Sequence, residues 1–131
     1  MVRTIDIVEH DPGWGVAFEL EAVALSRVFG DSTVAIHHIG STSVRGLPAK
    51  PIVDILVVLR ETTTIERFNP GMDGLGYRVR GECLDAEVPG TPGRFYFSKD
   101  VARVRTHHVH ACAEGHPQLH AKEGRVPEDS H

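Results

Sequence analysis

Apolar residues near the start of the chain recur at a spacing that predicts one long helix. They lie three or four positions apart, which places them on one helical face: Trp14, Phe18, Ala22, Leu25 and Phe29. Asp11 can cap the start of this helix, Pro12 suits its first turn, and Gly30 can end it. We therefore expect Trp14 and Phe18 to belong to the core rather than to a ligand-stacking surface.

Shorter apolar segments farther along the chain predict strands. Residues 52–59 are apolar on both faces of a strand apart from Asp54, which is typical of an inner strand covered on both sides. The other predicted strands are residues 34–39, 77–80, 94–98 and 107–111, and residues 64–75 form a weaker amphipathic helix. This order predicts an α/β or α+β domain, with a mixed β-sheet flanked by helices.

The composition is that of one soluble domain. The 131 residues are 40% hydrophobic and 24% charged, enough for one core and too few for two. The net charge of −4 gives no indication of a nucleic-acid or membrane partner, and the longest apolar run is too short to span a bilayer. Cys83 and Cys112, without a signal-like start, predict free thiols in a cytoplasmic protein.

The last segment of the chain differs from the rest. Residues 118–131 show no helical or strand period and are rich in glycine, proline and charge. We therefore expect a folded domain over residues 1–117, followed by a disordered tail over residues 118–131.

A loop rich in glycine and hydroxyl groups precedes the inner strand. It reads Gly40, Ser41, Thr42 and Ser43. Backbone N–H groups and hydroxyls in such a loop can cradle a phosphate without a cationic side chain. The alternative is an ordinary turn whose hydroxyls bond to their own backbone.

Asp54 is the polar exception within the most hydrophobic segment. An ionised carboxylate buried there needs a cation or a strong hydrogen-bond donor beside it. Lys50 or Arg45 could form a structural ion pair with it. The interpretation that we favour is a divalent metal such as Mg²⁺, which binds one or two carboxylates and completes its shell with phosphate oxygens and water.

The segment "RTHHVHAC" offers a second group of candidate ligands. On a strand, His108, His110 and Cys112 face one side, a spacing that could hold Zn²⁺. Alternatively, the imidazoles beside Arg105 donate to phosphate oxygens or act as general acid or base, or they are structural. Cys112 is expected to be a buried, inert thiol.

Several of these motifs together resemble the GrpB family, a group of small bacterial proteins with a nucleotidyltransferase-like fold. The densest match is "HIGSTSV", followed by "GL", "AKP" and "VDILV", between residues 38 and 57. Further matching motifs are "DPGW" near Trp14, "GY" and "GE" over residues 76–82, "RFYF" at residues 94–97 and "RTHHVH" at residues 105–110. The resemblance covers residues 5 to about 117.

The resemblance implies a division of roles. In the nucleotidyltransferase superfamily, a Gly-Ser turn holds the nucleotide phosphates, and two acids on the following strand hold metals. Gly40 and Ser41 would be this turn and Asp54 the first acid, but Leu56 occupies the position of the second acid. Glu82, which belongs to the family motif, is the acid most suited to be delivered from a neighbouring strand.

The leading hypothesis from the sequence is a nucleotidyltransferase-like protein that binds a nucleotide or another phosphorylated small molecule. Its predicted phosphate or ligand contacts are Gly40, Ser41, Thr42, Ser43, Lys50, Arg94 and Arg105. Its predicted metal ligands are Asp54 and Glu82, and its predicted catalytic residues are Asp54, Glu82, His108 and His110.

Two other functions are compatible with the same residues. GrpB-like domains occur fused to dephospho-coenzyme A kinases, which suggests a non-catalytic accessory domain for nucleotide or coenzyme A handling. A Zn²⁺-dependent hydrolase built on the histidines is the third alternative. Because GrpB-like chains usually continue with further helical segments, we also expect a truncated chain whose uncovered face favours self-association.

Overall fold

The computed structural model describes residues 7–82 and 93–115. Its helices and strands follow the chain in the order α1 (Gly13–Phe29), β1 (Thr33–Ile39), β2 (Val53–Leu59), α2 (Asn69–Gly74), β3 (Tyr77–Glu82), β4 (Phe95–Val101) and β5 (Val104–Ala113). Short 3-10 turns occur at Gly30–Ser32, Ser41–Ser43 and Ile65–Phe68.

The strands form one mixed sheet, as predicted. Its order is β1-β2-β5-β4-β3. The β2–β5 pair is parallel, while the β1–β2, β4–β5 and β3–β4 pairs are antiparallel. β2 is an inner strand, and all of its residues except Asp54 are buried, which confirms the expectation drawn from its apolar pattern.

The ends of α1 are fixed by the residues that the sequence indicated. The Asp11 carboxylate accepts a hydrogen bond from the Gly13 N–H at 2.8 Å, and Pro12 has a helical φ of −60°. At the other end Gly30 adopts a φ of 55°, and its N–H donates to the Ser26 carbonyl. A positive φ at this position favours glycine, because it has no Cβ to clash with the backbone.

The helices pack on one face of the sheet. α1 buries Trp14, Leu25 and Phe29 there, together with strand residues of the main core that include Ile55, Val57, Leu59, Phe97 and Val109. Because side chains alternate along a strand, the opposite face carries a different set. It holds a smaller apolar cluster of Leu56, Val58 and Cys112, with Ala35 and Ile39 packed against it.

The predicted helix over residues 64–75 is divided in two. Ile65–Phe68 forms a 3-10 turn, and α2 begins only at Asn69. Pro70 lies in the first turn of α2, where its missing N–H costs nothing, but it could not continue a helix begun several residues earlier. The sequence therefore predicted the correct segment but the wrong length of regular helix.

Some predictions concern segments that the structure describes only in part. Near the start of the described residues, an isolated antiparallel bridge pairs Val8 with Ala49. The predicted tail over residues 118–131 and Cys83 lie outside the described residues. Neither described α-helix has both the length and the hydrophobicity needed to cross a bilayer.

Two leucines of α1 provide a matched test of this packing. Leu25 is fully buried, whereas Leu20 is 69% exposed. Leu25→Ala should lower the free energy of unfolding by roughly 2–5 kcal/mol because it leaves a cavity, while Leu20→Ala should change it by less than about 0.5 kcal/mol. Urea denaturation of both variants measures the difference, and equal losses would contradict the assignment of the buried face.

Candidate functional site

The Gly40 loop closes directly against the Asp54 carboxylate. Ile39, the last residue of β1, pairs with Asp54 on β2, so Gly40 is the first residue beyond that pair. Gly40 has a φ of 78°, and a Cβ placed on it would lie 2.6 Å from Asp54 Oδ2. This position therefore favours glycine twice, for its backbone conformation and for the space that the carboxylate occupies.

Two of the three loop hydroxyls bond within the loop region itself. The Ser43 hydroxyl donates to the Gly40 carbonyl at 2.6 Å, and the Thr42 hydroxyl donates to the Ile52 carbonyl at 3.1 Å. Thr42 is buried, and its oxygen also lies 3.0 Å from His38 Nε2. These contacts match the ordinary-turn alternative, whereas Ser41 is exposed.

His38 supports the loop from the helix side of the sheet. Its ring stacks on Phe18 of α1, with a centroid distance of 4.9 Å and an interplanar angle of 11°. Burial lowers the pKa of His38, although Asp54 acts in the opposite direction. Phe18 packs against the main core, so its predicted structural role is confirmed, with this stacking contact in addition.

Two imidazoles from β5 lie beside Asp54. The parallel register pairs Asp54 with His108 and Leu56 with His110, which puts both rings on the same face as the carboxylate. His108 Nδ1 lies 3.5 Å and His110 Nε2 3.9 Å from Asp54 Oδ1. One ligand atom from each of the three residues lies within 4.8 Å of the other two.

These imidazoles account for a charged carboxylate on an inner strand. Burial alone would raise the pKa of Asp54, but its interactions with the His108 and His110 rings lower it to about 2. Within the described part of the chain, Asp54 pairs with these rings, and neither Lys50 nor Arg45 forms the ion pair with it that the sequence suggested as an alternative.

Tyr96 of β4 and Arg94, which immediately precedes that strand, complete the site. The Tyr96 ring lies 5.0 Å from the His108 ring and 4.7 Å from the His110 ring. Arg94 is only 4% exposed, and its Nη2 lies 2.9 Å from His110 Nδ1. Tyr96 was absent from the sequence prediction. Its place two positions after Arg94 in the "RFYF" motif could have indicated it, because residues two apart on a strand face the same side.

Among the described side chains, the cluster at Asp54 contains no second acid. Leu56, at the position of the second acid, is 2% exposed and belongs to an apolar cluster. Glu82 ends β3 and pairs with Phe95, and its side chain lies outside the described residues. Since β5 and β4 separate β3 from β2, the strands of Glu82 and Asp54 are about 14 Å apart.

Three other predicted ligand residues do not belong to the group of Asp54, His108 and His110. Lys50 is exposed, and no hydrogen bond or ion pair among the described residues connects it to Asp54. Arg105 Nε donates to Asp100 Oδ1 at 2.6 Å and lies about 10 Å along the strand from His108. Cys112 is buried, as predicted, and packs in the apolar cluster with Leu56 and Val58.

His107 faces the other side of the sheet. Its Nε2 lies 3.9 Å from Glu21 Oε1, in a network where Lys99 Nζ and the Tyr77 hydroxyl lie 2.7 Å and 2.8 Å from Glu21 Oε2. Burial raises the pKa of Glu21, but the hydrogen bond from Lys99 and the other contacts lower it overall. Because side chains alternate along a strand, His107 belongs to this network, whereas His108 and His110 lie beside Asp54.

Comparison with known proteins identifies similar chains. A model of the family described as GrpB protein matches residues 4–123. The UPF0157 protein YqkA of Bacillus subtilis is 38% identical over 117 residues, covering 89% of this chain and 32% of that protein. This chain spans between 32% and 56% of the length of the curated relatives that it matches.

Two solved structures resemble this fold. The conserved protein GrpB from Enterococcus faecalis has a TM-score of 0.79 and 32% identity, covering 95% of this chain and 74% of that one. The Cid1 poly(U) polymerase has a TM-score of 0.52 and 13% identity, covering 88% of this chain and 35% of that one. The likeness to Cid1 concerns the fold alone, and this fold is nucleotidyltransferase-like.

Two loop glycines provide a test of the contact between Gly40 and Asp54. Gly40 and Gly46 both have a positive φ, but a Cβ on Gly46 would have no neighbour within 4 Å. Each alanine variant should lose roughly 1–2 kcal/mol from backbone conformation, and Gly40→Ala should lose more because it displaces the carboxylate. Urea denaturation should show this excess in the wild-type background and not in Asp54→Ala; an excess that persists there would contradict the contact.

The ionisation of Asp54 should be visible in its carboxyl ¹³C signal. We expect an apparent pKa of about 2, compared with the ordinary value of 3.8. The stabilisation from this carboxylate should be complete above about pH 4 and lost as the pH falls toward 2, a difference of about 2 kcal/mol. Asp54→Asn should therefore flatten the decline in unfolding free energy between these pH values. A measured pKa at or above 3.8 would contradict the role of the imidazoles.

Proposed function

Because this chain belongs to the GrpB family, whose fold is nucleotidyltransferase-like, we propose that it binds a nucleotide or another phosphorylated small molecule beside the Gly40 loop. The observation that carries this proposal is the approach of Gly40 to Asp54 Oδ2, at 2.6 Å from the position of a Cβ. This contact places a glycine loop directly beside an ionised carboxylate and two imidazoles.

The loop would contact phosphate mainly through its backbone. Thr42 and Ser43 use their hydroxyls for internal bonds, so the exposed Ser41 is the side chain best placed to contact a ligand. Backbone N–H groups in such a turn bind anions through their aligned dipoles. His108, whose side chain is 30% exposed, could donate a ring N–H to a phosphate oxygen.

Asp54 would hold one divalent cation that arrives with the ligand. Its Oδ1 faces the imidazoles, whereas its Oδ2 lies over Gly40. Mg²⁺ commonly uses one carboxylate together with substrate phosphates and water. Such an ion would reduce the repulsion between the carboxylate and the phosphate. Oδ2 is the oxygen of Asp54 that would bind it.

The same geometry favours binding over transfer by a two-metal mechanism. Two bridging ions require several carboxylates, and the buried Leu56 cannot supply one. We therefore propose a binding or accessory domain for nucleotide or coenzyme A-related compounds as the primary role. Transfer activity would require further acids beside Asp54.

Ligand-induced stabilisation tests this proposal. Melting temperatures would be recorded with nucleotides and coenzyme A precursors, each with and without Mg²⁺. At a ligand concentration about a hundredfold above Kd, the stabilisation should be about 2.7 kcal/mol. The Mg²⁺-dependent part should disappear in Asp54→Asn, because the amide cannot neutralise the cation.

Asp100→Asn is the matched control for this experiment. Asp100 is 33% exposed and pairs with Arg105, whereas Asp54 is 29% exposed and pairs with histidines. The control should retain the full ligand-induced shift. Equal loss in both variants, or no stabilisation of the wild type by any phosphorylated compound, would overturn the proposal.

A further inference from the structure

The cluster of Asp54, His108 and His110 has the composition of a transition-metal site. Two imidazoles and one carboxylate form a common donor set for Zn²⁺ or Fe²⁺. Their ligand atoms lie within 4.8 Å of one another, only slightly farther apart than the roughly 3–3.5 Å between neighbouring ligands on a single ion. Proximity alone therefore suggests a three-ligand metal centre.

The hydrogen bond from Arg94 argues against that assignment. A guanidinium group can only donate hydrogen bonds, so His110 Nδ1, 2.9 Å from Arg94 Nη2, must be the acceptor. The proton of the neutral ring then lies on Nε2, the nitrogen that faces Asp54 Oδ1 at 3.9 Å. A protonated nitrogen has no lone pair to offer a metal.

The hydrogen-bond partner of His110 Nδ1 is a donor, whereas metal-binding histidines usually have an acceptor there. A metal-binding histidine almost always donates its second N–H to a carboxylate, a carbonyl or water. Here that second nitrogen, Nδ1, faces the guanidinium of Arg94, which is a cation. Arg94 is 4% exposed, and it forms no ion pair with a carboxylate of the described residues. A positive charge at Nδ1 further disfavours a metal ion bound to the same imidazole ring.

We propose that Arg94 is a positioning residue that fixes His110 as the Nε2–H tautomer, and that it thereby makes this cluster a receptor for anionic ligands instead of a three-ligand metal site. Asp54 is held by donors from both rings, and only its Oδ2 is left for a cation carried by the ligand. This inference rests on the proposed function for the identity of the anion, but not for the tautomer or the metal preference.

Substitutions of Arg94 separate the tautomer from simple packing. In Arg94→Gln the side-chain oxygen can accept from Nδ1–H, which frees Nε2 for a metal. Arg94→Lys keeps an obligate donor at the same position. Zn²⁺ titration by calorimetry should therefore show roughly ten- to a hundredfold tighter binding for Arg94→Gln than for wild type, and no such gain for Arg94→Lys.

His110→Ala in the Arg94→Gln background is the control for adventitious zinc binding. The gain in affinity should vanish in the double variant, because the freed ligand is gone. A gain that persists without His110, or an equal gain in Arg94→Lys, would overturn the proposal. So would wild-type protein that already holds one equivalent of Zn²⁺ as tightly as Arg94→Gln.

The tautomer itself can be measured on the wild-type protein, whether or not the variants fold. Long-range ¹H–¹⁵N correlation spectra at neutral pH should show His110 protonated at Nε2, with Nδ1 in the acceptor state. Protonation at Nδ1 would overturn the inference. Both measurements omit phosphorylated ligands, so a failure of the proposed function would appear only in the ligand-induced melting shift and would leave these results unaffected.

Discussion

The contact between the Asp54 carboxylate and the two imidazoles of β5 is the interaction on which the site depends. A charge on an inner strand is tolerated only if strong donors replace the lost hydration. His108 and His110 supply these donors because β2 and β5 are parallel and pair Asp54 with His108. A one-residue slip between the two strands would move both rings to the opposite face, so the register and the carboxylate stabilise each other.

The sheet keeps two charged groups apart by strand alternation. Glu21, Lys99 and Tyr77 form a largely buried network on the helix face, where the two charges pair with each other. Asp54 and its imidazoles lie on the other face, next to a loop that glycine keeps open. The first arrangement stabilises the fold, whereas the second leaves a carboxylate oxygen beside backbone that can approach a ligand.

The chemical character of the site follows from which groups donate. Arg94, buried behind His110, supplies donors to an imidazole that would otherwise be a good metal ligand. With Leu56 in place of a second acid, the site has few oxygen ligands and several donors. In the proposed role, that balance suits a phosphorylated ligand with one accompanying cation better than it suits a pair of catalytic metals.

Much of this could be predicted from the sequence, because it depends on local patterns. The spacing of Trp14, Leu25 and Phe29 predicted α1, the apolar run predicted β2, and alternation placed His108 and His110 on one face. The break at Pro70 was missed because the amphipathic pattern continues across it. The partner of Asp54 was decided only by the tertiary structure: the parallel register chose imidazoles from β5 over Lys50 and Arg45, which are close in sequence. The same holds for Tyr96 and for the direction of the Arg94 hydrogen bond, since no local pattern specifies which distant strands become neighbours or which nitrogen of a ring accepts.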